Sequence, residues 1–178
     1  MKYFWVLTFL LLLSCEGDKI KPAVDLSSQE DNMPDIESWN TEIIFSELGE
    51  IKAVLNTDHL TKFDEQKVTY LEGVKIDFFS ETGVKTTTLT SKRGRVDDIT
   101  KNMFAIDSVV VVSDSGVVLN TEELMWQNKI RKITSDRFVT IDSPEEHIEG
   151  IGFESDQGLE NYKIYKITYS ATYTDTTK

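Results

Sequence analysis

The sequence predicts an all-β fold built from one supersecondary unit laid down several times. Three observations carry that prediction. β-Branched and aromatic residues alternate with polar ones in short runs from residue 41 to residue 170. Glycine-bearing turns punctuate those runs at intervals of about 8–12 residues, the rhythm of an antiparallel β domain. A short pattern also recurs: Leu55-Asn-Thr-Asp-His-Leu60 aligns with Leu119-Asn-Thr-Glu-Glu-Leu124, and Leu89-Thr-Ser-Lys and Ile148-Glu-Gly-Ile fall in the same frame. The block starts, 55, 89, 119 and 148, are spaced by 34, 30 and 29 residues, a period typical of stacked repeats.

The elements follow in order. Met1 to Ser14 read as a signal peptide: Lys2 is the positive start, and Phe4 to Leu13 form an almost wholly apolar run. That run is about half the length a membrane-spanning helix needs. The residues Leu12-Leu13-Ser14-Cys15 resemble the lipobox of bacterial lipoproteins, which makes Cys15 the expected lipid attachment point. Cys15 is the single cysteine of 178 residues, so the chain has no internal disulfide and must hold by its core. Residues 15–38, polar and acidic with two prolines, read as a tether. A helical turn is possible at Pro34–Ser38. Residues 39–173 are the expected β domain, and 174–178 a polar tail.

Within the domain, Glu47-Leu-Gly-Glu50, Glu81-Thr-Gly83 and Asp114-Ser-Gly116 each supply a glycine where a hairpin turn needs positive φ. The stretch Thr121–Trp126 has helical propensity, but its repeat context favours an extended chain. Alternation places Tyr70, Val74, Ile76 and Phe78 on one face, with Lys75 and Asp77 on the other. Val139 and Ile141 share a face opposite Thr140 and Asp142. Val109 to Val112 are apolar on both faces, which leaves their register open. Leu60, Leu124 and Phe153 occupy matching inward repeat positions, and Gly94 breaks the set. One apolar face per strand requires two sheets, or one folded sheet, around a shared interior.

Charge and motif exclude several function classes. With 19 basic and 31 acidic residues the net charge is −12, unsuited to nucleic acid or anionic membrane. His59 and His147 are the only histidines and lie in no metal-ligand spacing. No nucleophile elbow, phosphate loop or dinucleotide fingerprint is present. The acidic pairs Asp97-Asp98, Glu122-Glu123 and Glu145-Glu146 have adjacent members, which point to opposite faces of a strand and so cannot share one site. The sequence therefore reads as a non-enzyme without a cofactor.

The ordered set Leu119-Asn-Thr-Glu-Glu-Leu-Met-Trp126, Ile133-Thr-Ser-Asp136, Val139-Thr-Ile141 and Ile148-Glu-Gly-Ile-Gly-Phe-Glu-Ser-Asp156 resembles the LptC family. Upstream, Phe45-Ser-Glu-Leu-Gly49, Leu55 and Leu71-Glu-Gly-Val74 keep the family's order, so the likeness covers about residues 35–170. LptC proteins are the periplasmic component of lipopolysaccharide export in Gram-negative bacteria. The resemblance implies a V-shaped β-jellyroll of antiparallel strands with open edges and an apolar groove. It further implies that lipopolysaccharide passes from an LptB/LptF/LptG-type transporter at the N-terminal edge to an LptA-type protein at the C-terminal edge, each joint being β-augmentation.

On that basis Val74, Ile76, Phe78, Val109, Val111, Leu124, Val139, Ile141 and Phe153 are the expected lipopolysaccharide-binding wall. Ile43 and Phe45, and Tyr162, Ile164 and Lys166, mark the expected docking edges. The expected location is the periplasmic face of the inner membrane. Many family members carry an N-terminal transmembrane helix; this chain shows a lipobox in its place. The alternative is a periplasmic lipoprotein scaffold that binds protein partners through its outer sheet face.

Overall fold

The computed structural model describes residues 33–159 and 161–173. The expected signal peptide, Cys15, most of the expected tether, and the 174–178 tail lie outside the described residues. Nine strands follow one another: β1 (Ile36–Glu47), β2 (Glu50–Phe63), β3 (Val68–Phe79), β4 (Lys85–Asp97), β5 (Met103–Ser113), β6 (Val118–Gln127), β7 (Lys132–Asp142), β8 (Glu146–Ser155) and β9 (Tyr162–Thr172). They form one antiparallel sheet whose spatial order is the chain order, β1 through β9. Thr121–Trp126 is extended within β6. Strand β1 begins at Ile36, so three residues assigned to the tether belong to the domain, and Ile36–Ser38 are strand rather than helical turn. The cause is pairing: Ile36, Glu37 and Ser38 face Lys62, Thr61 and Leu60 of β2.

The repeat has a simple geometric origin. Cross-strand partners run Ile43–Leu55–Ile76–Leu89–Val111–Leu119–Ile141–Ile148 in one unbroken row across the sheet. The four block starts are therefore the even-numbered strands β2, β4, β6 and β8, and one period is one hairpin. Leu55, Leu89, Leu119 and Ile148 are all buried. A second row runs Leu60–Leu71–Gly94–Ala105–Leu124, also inward.

Between the two rows every strand is interrupted. The pairing skips Asn40, Asp58 and Gly73, and the register shifts at Thr90/Arg93, Ile106/Val109, Thr121/Met125, Ser135/Phe138 and Glu149/Gly150. Asn40, Gly73, Asp107, Ser108 and Gly152 on this line have positive φ. Such bulges bend strands and let them pass from one layer to another. A Cβ at Gly73 would also meet the exposed Asp58 carboxylate, which would have to turn aside to admit it.

The bend folds the sheet into two facing arms. Leu119 and Val139 have 0 % exposure, which a single uncovered sheet face does not achieve. Two contacts cross between the arms: Tyr162 Oη donates to Glu146 Oε1 at 2.9 Å, and Arg131 lies 3.8 Å from Glu47. The core is the double row of inward residues, with Phe153 and Leu159 closing its β8–β9 side.

The bend also corrects one face assignment. Tyr70 is 45 % exposed, whereas Leu71, Val74 and the half-buried Ile76 and Phe78 point inward. The skipped pair at Gly73 shifts the alternation by one residue, so Tyr70 and Val74 fall on opposite faces. Val109 and Val111 are inward at 1 %, and Val112 is exposed, which fixes the open register.

Candidate functional site: the interior between the arms and its two free edges

The inward hydroxyls explain how the bend is sustained. A bulge takes backbone carbonyls out of the ladder, and a buried carbonyl needs a new donor. Thr57 Oγ1 donates to Glu72 O at 2.6 Å, Ser91 Oγ to Arg93 O at 2.9 Å, and Thr121 Oγ1 to Phe138 O at 2.8 Å. Each is the third residue of its block: Leu-Asn-Thr, Leu-Thr-Ser and Leu-Asn-Thr. The fourth block, Ile-Glu-Gly, places Gly150 there instead, where Ile164 Cγ2 and Lys166 O come within 2.5 Å of where a Cβ would sit. The recurrence of a small hydroxyl two residues after the leucine was visible in the sequence; that it serves the bend was not.

The expected lipid wall divides into two classes. Val74, Val109, Val111, Leu124, Val139, Ile141 and Phe153 are buried, 5 % exposed or less, and form the spine on which the arms close. Ile76 and Phe78 are half-buried against that spine, together with Ile43 on β1, Tyr162 and Ile164 on β9, and Val96, Val117 and Trp126. The apolar surface reachable from outside is thus at the margins of the interior. Two of the expected edge residues, Ile43 and Ile164, belong to the same margin, while Phe45 and Lys166 are exposed. Among the described residues, β1 and β9 each have a strand neighbour on one side only.

Tyr162 stands where margin and edge meet. Its ring stacks on Phe153 at 6.3 Å between centroids, and its hydroxyl reaches Glu146 across the interior. Burial, with the Glu146 hydrogen bond and charge, pushes the phenol up to about 12, so it remains a neutral donor at physiological pH. Next to it, Tyr165 donates to Glu154 at 2.9 Å, and Lys163 Nζ sits 4.8 Å from the Tyr165 ring centre.

The outer face carries its own polar clusters. His147 is held between Asp142 at 2.5 Å and Glu149 at 3.2 Å, and its ring meets Tyr169 edge-on at 5.8 Å. The Asp142 bond, then that of Glu149, raises its pKa above the ordinary value. His59 stacks on Trp39 and bonds Glu37 at 2.9 Å. Asp97 accepts from the backbone of Thr100 and Ile99, which lowers its pKa and closes the β4–β5 turn. Of the other acidic pairs, Asp98 accepts from Thr69 and Glu146 from Tyr162. Among the described residues no three His, Asp or Glu side chains are placed to hold a metal ion. Shallow outer-face concavities are present, one lined by Phe104, Glu123, Met125, Thr134, Glu154 and Tyr165.

Among the described residues the interior between the arms is lined by apolar side chains, with Ile43, Ile76, Phe78, Tyr162 and Ile164 packed at its margins. No curated protein matches the chain. The family model for lipopolysaccharide assembly, LptC-related, matches residues 5–169, nearly the whole length. This chain belongs to the LptC-related family of lipopolysaccharide-assembly proteins, a transport family of the periplasm and inner membrane rather than a family of enzymes.

Proposed function

We propose that the protein relays lipopolysaccharide, taking acyl chains between its two arms and passing the lipid from an LptB/LptF/LptG-type transporter at the β1 edge to an LptA-type protein at the β9 edge. The observation that carries the reading is the half-buried apolar margin, Ile43, Ile76, Phe78 and Ile164, lying against a sealed spine and reaching both free edges. Each methylene taken up is worth about 0.8 kcal/mol, so full enclosure of several chains would trap the lipid. An interior whose arms pack on a shared spine and which is accessible only at its margins holds lipid more loosely and releases it. Residues Val74, Val109, Val111, Leu124, Val139, Ile141 and Phe153 meet lipid only as the arms part. In this reading Cys15 carries the lipid anchor at the inner membrane.

Photo-crosslinking tests it. Probes at Ile43, Ile76, Phe78 and Ile164 should label lipopolysaccharide, and probes at the outer-face Lys75 and Asp142 should not. Equal labelling of the two faces overturns the relay groove. The exposed pair Phe138 and Ile151, together with the concavity beside Tyr165, favours a second reading, an outer face that binds protein partners. In that case Phe138→Ser or Lys75→Glu abolishes function while lipid labelling is unchanged.

A further inference from the structure

The two free edges differ in charge. Strand β1 carries Glu37, Glu42 and Glu47 and no cation. Strand β9 carries Lys163 and Lys166 and no acid, in a chain with 31 acidic residues. Both lysines are exposed; Lys163 lies over the Tyr165 ring at 4.8 Å and opposite Glu154 in the β8–β9 ladder. Three of the larger apolar side chains beside them, Tyr165, Ile167 and Tyr169, are more than half exposed.

From this contrast we propose that the β9 edge selects its partner by charge, accepting an edge strand that bears carboxylates and lacks cations. The inference rests on the reading of β9 as a docking edge and adds the chemistry of the strand that docks. Main-chain bonds are the same for every strand and give affinity without choice. Charge supplies the choice, because like charges brought together at an interface are costly and opposite ones speed encounter. On a molecule of net charge −12 the two lysines give this edge a local positive charge, which favours encounter with an acidic strand here. Edge lysines have a second known use, as guards against aggregation. A guard keeps strands of either charge from docking, whereas a selecting edge captures the acidic one.

The test uses the full chain in detergent and two twelve-residue peptides. One is the β1 sequence of this chain, Ile36–Glu47; the other has its three glutamates replaced by lysine. Binding is followed by fluorescence anisotropy, and a photo-crosslinker at Ile167 reports the place of contact. The expected result is at least tenfold tighter binding of the acidic peptide at 50 mM salt, reduced at 500 mM. In Lys163→Glu/Lys166→Glu the preference should pass to the lysine peptide, with unchanged circular dichroism. Equal capture of both peptides at β9 overturns charge selection and leaves edge docking standing. Capture of neither overturns both. Oligomers of the full chain that vanish in the double variant would identify a second copy, through its own β1, as an acidic strand that fits.

Discussion

Tyr162 and Glu146 sit sixteen positions apart, on opposite arms of the bent sheet, and are joined by a 2.9 Å hydrogen bond. Two paired strands that ran straight would hold these residues about 30 Å apart, at 3.3 Å per residue. The bond exists because β8 turns at Gly150 and Gly152. It fastens the interior at the side next to the β9 edge.

Tyr162→Phe is expected to loosen that fastening. A hydrogen bond to a carboxylate is worth about 1.5–3 kcal/mol, and partial exposure brings the expected loss to about 1 kcal/mol. Because the phenol pKa is raised when folded, its contribution is complete below the unfolded value near 10 and is lost as pH climbs through about 12. Urea denaturation at pH 7 and pH 11 measures both effects. The Phe variant should lose the part of the alkaline decline that Tyr162 causes.

His147 gives the opposite end of the pH scale. Its pKa is raised in the folded state by Asp142 first and Glu149 second. Its contribution is therefore complete below the ordinary value of 6.5 and disappears as pH rises through the folded value. His147→Gln should flatten this part of the stability profile between pH 5 and 8. Thermal melts across that range, compared with wild type, check it.

Gly150→Ala should detach β9 from β8 locally. The added methyl meets Ile164 Cγ2 and the Lys166 carbonyl at 2.5 Å, and the carbonyl belongs to backbone that cannot turn away. Overpacking of this kind costs about 1–3 kcal/mol. Hydrogen exchange should speed up in Ile164–Tyr169 and stay unchanged in β2–β5.

Two buried threonines should respond differently to the same change. Thr121→Val leaves the Phe138 carbonyl without its donor and should cost about 1–3 kcal/mol. Thr87 is 2 % exposed and its hydroxyl has no hydrogen-bond partner among the described residues, so Thr87→Val removes a buried unmet group and should be neutral or stabilising. Chemical denaturation of the two variants side by side decides this.

Alternation and glycine turns made the strands and hairpins legible. The Val139/Ile141 face was right, as were the inward positions of Leu60, Leu124 and Phe153. The bend was not legible, and for a physical reason. Its positions are Asn40, Asp58, Gly73, Asp107 and Ser108, residue types that also mark ordinary turns, and no periodicity separates a bulge within a strand from a turn between strands. Missing the bend put Tyr70 on the wrong face. It also hid the difference between spine and margin, since Val109 and Ile76 look alike by pattern and differ only in what the opposite arm places over them. Edges were partly legible: Tyr162–Tyr173 alternates without glycine or proline, and β9 is there.

The sheet order equals the chain order, so every strand pairs first with the one made just before it. Loop closures stay short, and the sheet can be completed hairpin by hairpin without waiting for distant segments. The last hairpin, β8–β9, closes as locally as the first, so contacts between segments distant in the chain are left to the bend that brings the two arms together.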